Sequence, residues 1–264
     1  MRQRLFFPCL AGLGLVGLLL ALSPARAQGW GTVKGRIVWG PDKIPEPQKI
    51  DVSKNRDAAY CTKDGPVLRE EKVIDPKTRG VRWVIVWLAD VEDYKAAPPI
   101  HPDLKDVKPQ THEFDQPGCA FIPHVMAIRG GDTVISKNSA KVAHNVKVEG
   151  GLFGPQLNRV IQPGQTLTFE NIKARRIPII VSCTIHPWMK AYVKVFDHPY
   201  FAVTDKEGNF EIKNAPAGKY RLIAWEESEG YVLGEPDEKH KGIVIDIKAN
   251  ATTDVGGLKM VPSE

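Results

Sequence analysis

VSCTIHPWMKAYVKV, residues 181–195, sets Cys183, His186 and Met189 at equal three-residue steps, with Pro187 and Trp188 between the last two. A helix would line up the three side chains, but Pro187 lacks the backbone donor that a helix interior uses, and its ring clashes with the preceding turn. Ile179-Ile180-Val181, leading in, is β-branched throughout and favours a strand. The stretch therefore reads as strand, loop, strand. IPIIVSC delivers Cys183 at its end, alternation puts Ile179 and Val181 on the face of the sulfur, and AYVKVF leaves as the next strand. A thiol, an imidazole and a thioether are thus fed toward one point.

Outward from this loop the chain shows almost nothing helical. Short apolar or alternating runs recur at Val33 to Trp39, Val81 to Leu88, Val125 to Ile128, Thr133 to Ser136, Thr166 to Phe169, Phe210 to Ile212, Tyr220 to Trp225 and Ile243 to Ile247. Turn signals such as Gly130-Gly131, Pro163-Gly164 and Pro216-Ala217-Gly218 separate them. Many short strands at this density make an all-β fold of sandwiches or barrels. Asp90 to Gln116, rich in Pro, Asp and Lys, reads as a long surface connection.

The first 27 residues have a basic head, an apolar run from Leu5 to Leu22 and the ending Ala25-Arg26-Ala27, the pattern of a secretory signal cut before Gln28. The alternative is an uncleaved anchor; Gly12, Gly14, Gly17 and the cleavage pattern favour removal. Cleavage removes Arg2, Arg4 and Arg26 and no acid, so the formal charge falls from +5 to +2. No Lys/Arg cluster interleaved with aromatics points to nucleic acid, and once the signal is gone no membrane insertion is expected. The reading is of an exported protein, periplasmic or at the cell surface.

Three cysteines then remain, Cys61, Cys119 and Cys183. In an oxidising compartment an odd count leaves one thiol in need of a partner such as a metal, which directs attention to Cys183. If Cys61 and Cys119 pair, they close a loop of roughly 60 residues; the alternative is two independent buried thiols.

Thiolate and thioether are soft ligands and imidazole is borderline, so the set suits copper better than a structural zinc. The blue-copper set needs a second histidine. His144, in GDTVISKNSAKVAHNVKV, follows a strand ended by Asn138 and begins the next; His124, after Pro123, is the competitor and otherwise reads as an exposed residue. His101 and His112 fall in the polar connection, His198 comes late, and His240 lies in a charged tail.

Residues 119–197, CAFIPHVMAIRGGDTVISKNSAKVAHNV through VSCTIHPWMKAYVKV, resemble a cupredoxin of the plastocyanin and amicyanin type. The resemblance implies a single type 1 copper held by His144, Cys183, His186 and Met189. It further implies that Asn145 fastens the first-histidine loop to the cysteine loop by hydrogen bonds. Ala140 stands where such proteins often carry an Asp, a departure that touches loop geometry.

The run FAVTDKEGNFEIKNAPAGKYRLIAWEE resembles a carboxypeptidase regulatory-like, transthyretin-like domain, and GTVKGRIVWG and GVRWVIVWLAD look like its opening strands. The whole is similar to exported proteins of the methylamine utilization type. The expected organisation is a signal at 1–27, an N-terminal β region at 28–104, a cupredoxin at 105–197 and C-terminal strands of the second sandwich at 198–264. Trp225-Glu226-Glu227 reads as a solvated strand end. Trp188 reads equally as a docking aromatic at the copper edge or as a packed one.

The expected function is one-electron transfer to an unidentified redox partner protein, without enzymatic activity. The alternative is a copper-binding or surface interaction module without an electron-transfer role. A copper enzyme fares worse, because a further copper calls for closely spaced histidine pairs and the chain has no His-x-His.

Overall fold

A computed structural model describes residues 29–148 and 157–262; the expected signal at 1–27 lies outside them. Nearly all the regular structure of the described residues is strand. It begins with β1 (Trp30–Trp39) and β2 (Ile85–Ala89), between which sits the short helix α1 (Ala58–Cys61). Past a second short helix, α2 (Pro102–Lys105), follow β3 (Thr111–Asp115), β4 (Val125–Arg129), β5 (Thr133–Lys137), β6 (His144–Val148), β7 (Leu157–Ile161), β8 (Thr166–Phe169), β9 (Ile179–Ser182) and β10 (Lys190–Phe196). The last group is β11 (Phe201–Val203), β12 (Asn209–Pro216), β13 (Gly218–Glu226), β14 (Gly230–Tyr231), β15 (Ile243–Ile247) and β16 (Thr252–Met260).

The strands of the described residues form four sheets. One runs β12-β1-β16 and a second β11-β2-β13-β14, with β15 also on β13; a third runs β4-β10-β9-β6-β7 and a fourth β3-β5-β8. Alternation along β1 turns Val33, Ile37 and Trp39 inward against Phe210, Ile212, Leu222 and Met260, which gives a core between the first two sheets. Phe114, Phe121, Ile128, Val134, Val146, Phe169, Val181 and Val193 fill a core between the third and fourth.

A third core joins these two bodies. Every residue of β2 is buried, because Val86 and Leu88 face one core while Ile85, Trp87 and Ala89 face the other way, onto Val125, Tyr192 and Phe196. That is why this strand reads as continuously apolar: it has no solvent face. The second and third sheets lie face to face, with Trp87 against Phe196 at 5.7 Å and Tyr192 against Trp225 at 5.5 Å between ring centroids.

Two expectations need correction. The run from Val81 does not enter β2 until Ile85, since Arg79 and Trp83 adopt left-handed backbone with φ of 60° and 69°. Asp90 to Gln116 is not wholly a surface connection, because β3 pairs in parallel with β5 and Phe114 on it is 2% exposed. A polar sequence conceals this strand: only one residue of THEFD is buried.

Candidate metal centre

β9 and β10 run antiparallel and are joined by the loop that carries Cys183, His186 and Met189. β6 lies beside β9 with Lys147 opposite Ser182 and Val148 opposite Val181. Continuing that register brings Asn145 opposite Thr184, so the first residues of β6 and the start of the loop meet. Asn145 Oδ1 accepts from Thr184 N at 2.7 Å, Thr184 Oγ1 at 3.1 Å and Ile185 N at 3.2 Å. One side chain thereby pins the loop.

His144, Cys183 and His186 are all buried, and one ligand atom from each falls within 4.8 Å of the others. The two Nδ1 atoms face each other at 3.0 Å, and Cys183 Sγ lies 3.9 Å from His186 Nδ1. Asn145 N and His186 N each point at the sulfur from 3.4 Å. Met189 is 1% exposed and is tied back to the loop: its N–H donates to His186 O at 2.9 Å, and its carbonyl accepts from Cys183 N at 3.2 Å.

Burial, and then the neighbouring His186, push the His144 imidazole down to about 4. Burial also lowers His186, against the opposing pull of Asp57. Both rings are therefore neutral at pH 7. Two neutral rings with Nδ1 atoms face to face share one proton at most, whereas a cation between them engages both lone pairs. Two imidazoles with a thiol suit a metal of soft or borderline character, copper foremost.

His186 Nε2 points away from this cluster, to Asp57 Oδ2 at 3.1 Å. Asn55 Nδ2 donates to Ile185 O at 2.9 Å, and Cys61 and Cys119 form a disulfide whose sulfurs also lie within 4.8 Å of a His186 ring nitrogen. Trp188 is half-buried, its Nε1–H donating to Cys119 O at 3.1 Å, so it packs along the cystine. The sequence offers no local sign of Asp57, which lies 129 residues from His186. The one available signal is the cystine, because a bridge from Cys61 draws its neighbours toward the loop.

His124 is not the exposed residue expected from its sequence context: it is 3% exposed. Nδ1 lies 3.0 Å from Lys190 O and 3.2 Å from Glu70 Oε2, and Nε2 meets Glu227 Oε1. Lys190 O and the carboxylates can only accept, so both ring nitrogens carry hydrogen and His124 has no lone pair for a metal. Trp225-Glu226-Glu227 is likewise no solvated end. Glu227 is buried against His124, and Glu226 accepts from Ser228 N at 2.9 Å, Ser228 Oγ at 2.7 Å and Lys72 N at 3.2 Å.

Burial opposes the charge on His124, but Glu227 and Glu70 together outweigh it and raise the group to about 10. An unfolded histidine titrates near 6.5. The stabilisation is thus complete below about pH 6.5 and is lost as pH rises through about 10. Urea midpoints of the metal-free protein should fall across that window, and a His124→Gln variant should show a shallower fall; equal slopes would contradict the charged pair.

No protein-family model and no curated protein matches the chain. Among solved structures, a mutant amicyanin in its Cu(I) form is 23% identical over 33% of this chain and 82% of its own, with a TM-score of 0.30. A copper-containing nitrite reductase from Thermus scotoductus is 21% identical over 37% of this chain and 25% of its own, at 0.30. A purple cupredoxin from Nitrosopumilus maritimus is 20% identical over 32% of this chain and 98% of its own, at 0.28.

Proposed function

We propose that the protein is an exported type 1 copper protein that carries single electrons to or from a partner protein and is not itself an enzyme. The observation that supports this most is the convergence of His144, Cys183 and His186, buried and within 4.8 Å, on a strand end and a loop that Asn145 locks together. His144 and His186 would hold the metal through imidazole, Cys183 through thiolate and Met189 through its thioether. Bound copper would supply a one-electron couple.

The chain's part is to keep the ligands still and dry. The main-chain bonds of Met189 with Cys183 and His186 and the side-chain bonds of Asn145 limit rearrangement between oxidation states. The disulfide supports an oxidising compartment. Among the described residues no helix is long and apolar enough to cross a membrane. We read β1, β2 and β11 to β16 as a transthyretin-like sandwich and β3 to β10 as a cupredoxin set between its strands, near the sequence boundaries at 104 and 197.

The test is to produce residues 28–264, add Cu(II), and record visible and electron paramagnetic resonance spectra beside a Cys183→Ser variant. An intense blue band with narrow copper hyperfine splitting, absent in the variant, is expected. A colourless protein, or equal copper binding by the variant, would overturn the carrier.

A further inference from the structure

His186 is fully buried with its two ring nitrogens committed in opposite directions. Nδ1 faces His144 and Cys183, and Nε2 meets the Asp57 carboxylate at 3.1 Å. A carboxylate at such a contact accepts, so the proton resides on Nε2 and the Nδ1 lone pair is left facing the thiol.

Asp57 is itself held in place. Its N–H donates to Asn55 Oδ1 at 2.9 Å, and Asn55 Nδ2 in turn donates to Ile185 O at 2.9 Å, one residue before His186. Its carbonyl accepts from Cys61 N at 2.9 Å, and Cys61 is bonded to Cys119. Tyr60 Oη donates to Pro117 O at 3.1 Å and accepts from Lys141 N at 3.1 Å. Residues 55–61 are thus held against the His186 edge, anchored to Ile185 in the ligand loop and to Pro117, Cys119 and Lys141 outside it.

We infer that Asp57 is a positioning residue of the metal centre, which fixes the His186 tautomer and ring from behind, and that the cystine-anchored segment 55–61 exists to hold it there. The inference rests on the copper reading above. A carboxylate behind a ligating imidazole makes the ring a stronger donor and restrains it, and losing such a partner typically costs about 10- to 100-fold in metal affinity. A stronger donor favours Cu(II) over Cu(I), so removing Asp57 should weaken Cu(II) more than Cu(I) and raise the reduction potential. Each tenfold change in that ratio corresponds to about 59 mV for one electron.

The experiment compares residues 28–264 as wild type, Asp57→Asn and Asp57→Ala. Cu(II) affinity is measured against a competing chelator, with the reduction potential and copper hyperfine splitting of each. Asparagine is nearly isosteric and keeps an acceptor but no charge, so the expected order is graded. Asp57→Ala loses at least tenfold in Cu(II) affinity and its potential rises, by about 59 mV for each tenfold by which the Cu(II) loss exceeds the Cu(I) loss, and Asp57→Asn falls between it and the wild type. Potentials and affinities unchanged in both variants would overturn the role of Asp57 and leave a blue wild type, and with it the carrier, intact. A wild type without a thiolate band would overturn both.

Discussion

With Cys61 and Cys119 both replaced by serine, residues 28–264 should unfold with about 4 kcal/mol less free energy, the chain-entropy value for a loop of this length. The bridge spans 58 residues, and its main effect is on the unfolded chain, which without it regains the freedom of that loop. Little else could make up the loss locally. α1 is four residues long and buries no side chain, so it cannot persist on its own account. Denaturant unfolding of the metal-free protein, with and without the two substitutions, reads the difference directly. A loss under about 1 kcal/mol would mean that the hydrogen bonds of Asn55, Asp57 and Tyr60 alone keep the segment docked, and that the unfolded chain is already compact there.

Glu227→Ala should cost about 3–5 kcal/mol at neutral pH, the usual penalty for removing one partner of a buried ion pair. The side chains of His124 and Glu227 are both 3% exposed, whereas Glu70, the remaining carboxylate, is 33% exposed and screened by solvent. The variant must bury an under-compensated imidazolium or give up the Nε2 proton that Glu227 accepted, leaving a neutral ring with Nδ1–H toward Lys190 O and Glu70 and without the buried charge pair. Either outcome shows as a lower denaturation midpoint, together with a flatter dependence on pH above 6.5. A change below about 1 kcal/mol would show that the pair merely breaks even against its desolvation.

Much of this architecture can be read from local pattern. Pro187 excludes a helix in the ligand loop, the β-branched lead-in makes β9, and equal spacing brings Cys183, His186 and Met189 onto one loop between paired strands. With Cys9 set aside in the expected signal, the three remaining cysteines point to Cys183 as the free thiol beside a pairing of Cys61 with Cys119, and among the described residues that is the arrangement found. What could not be read is which faces of the strands meet a second sheet. In KAYVKVF the polar Lys194 marks an outward face, yet that face is covered: Lys194 is 5% exposed and donates to Arg176 O at 2.7 Å. Trp225, Glu227 and His124 lie along the same seam and were obscured for the same reason. Burial there depends on residues more than a hundred positions away, as between His124 and Glu227. Asp57 is hidden in the same way, its place set by a cystine rather than by periodicity.

The seam has a consequence for how the two bodies can change over time. Trp87 rests on Phe196, and Tyr192 on Trp225, so each large ring of one body is shaped to a ring of the other. A change of size on one side leaves either a void or a clash on the other, at a cost in proportion to the volume altered. The strands around His144 and Cys183 and the strands of the other body are therefore bound to a shared mutational history. Neither half can be traded for an unrelated module unless its opposite face is recut to match.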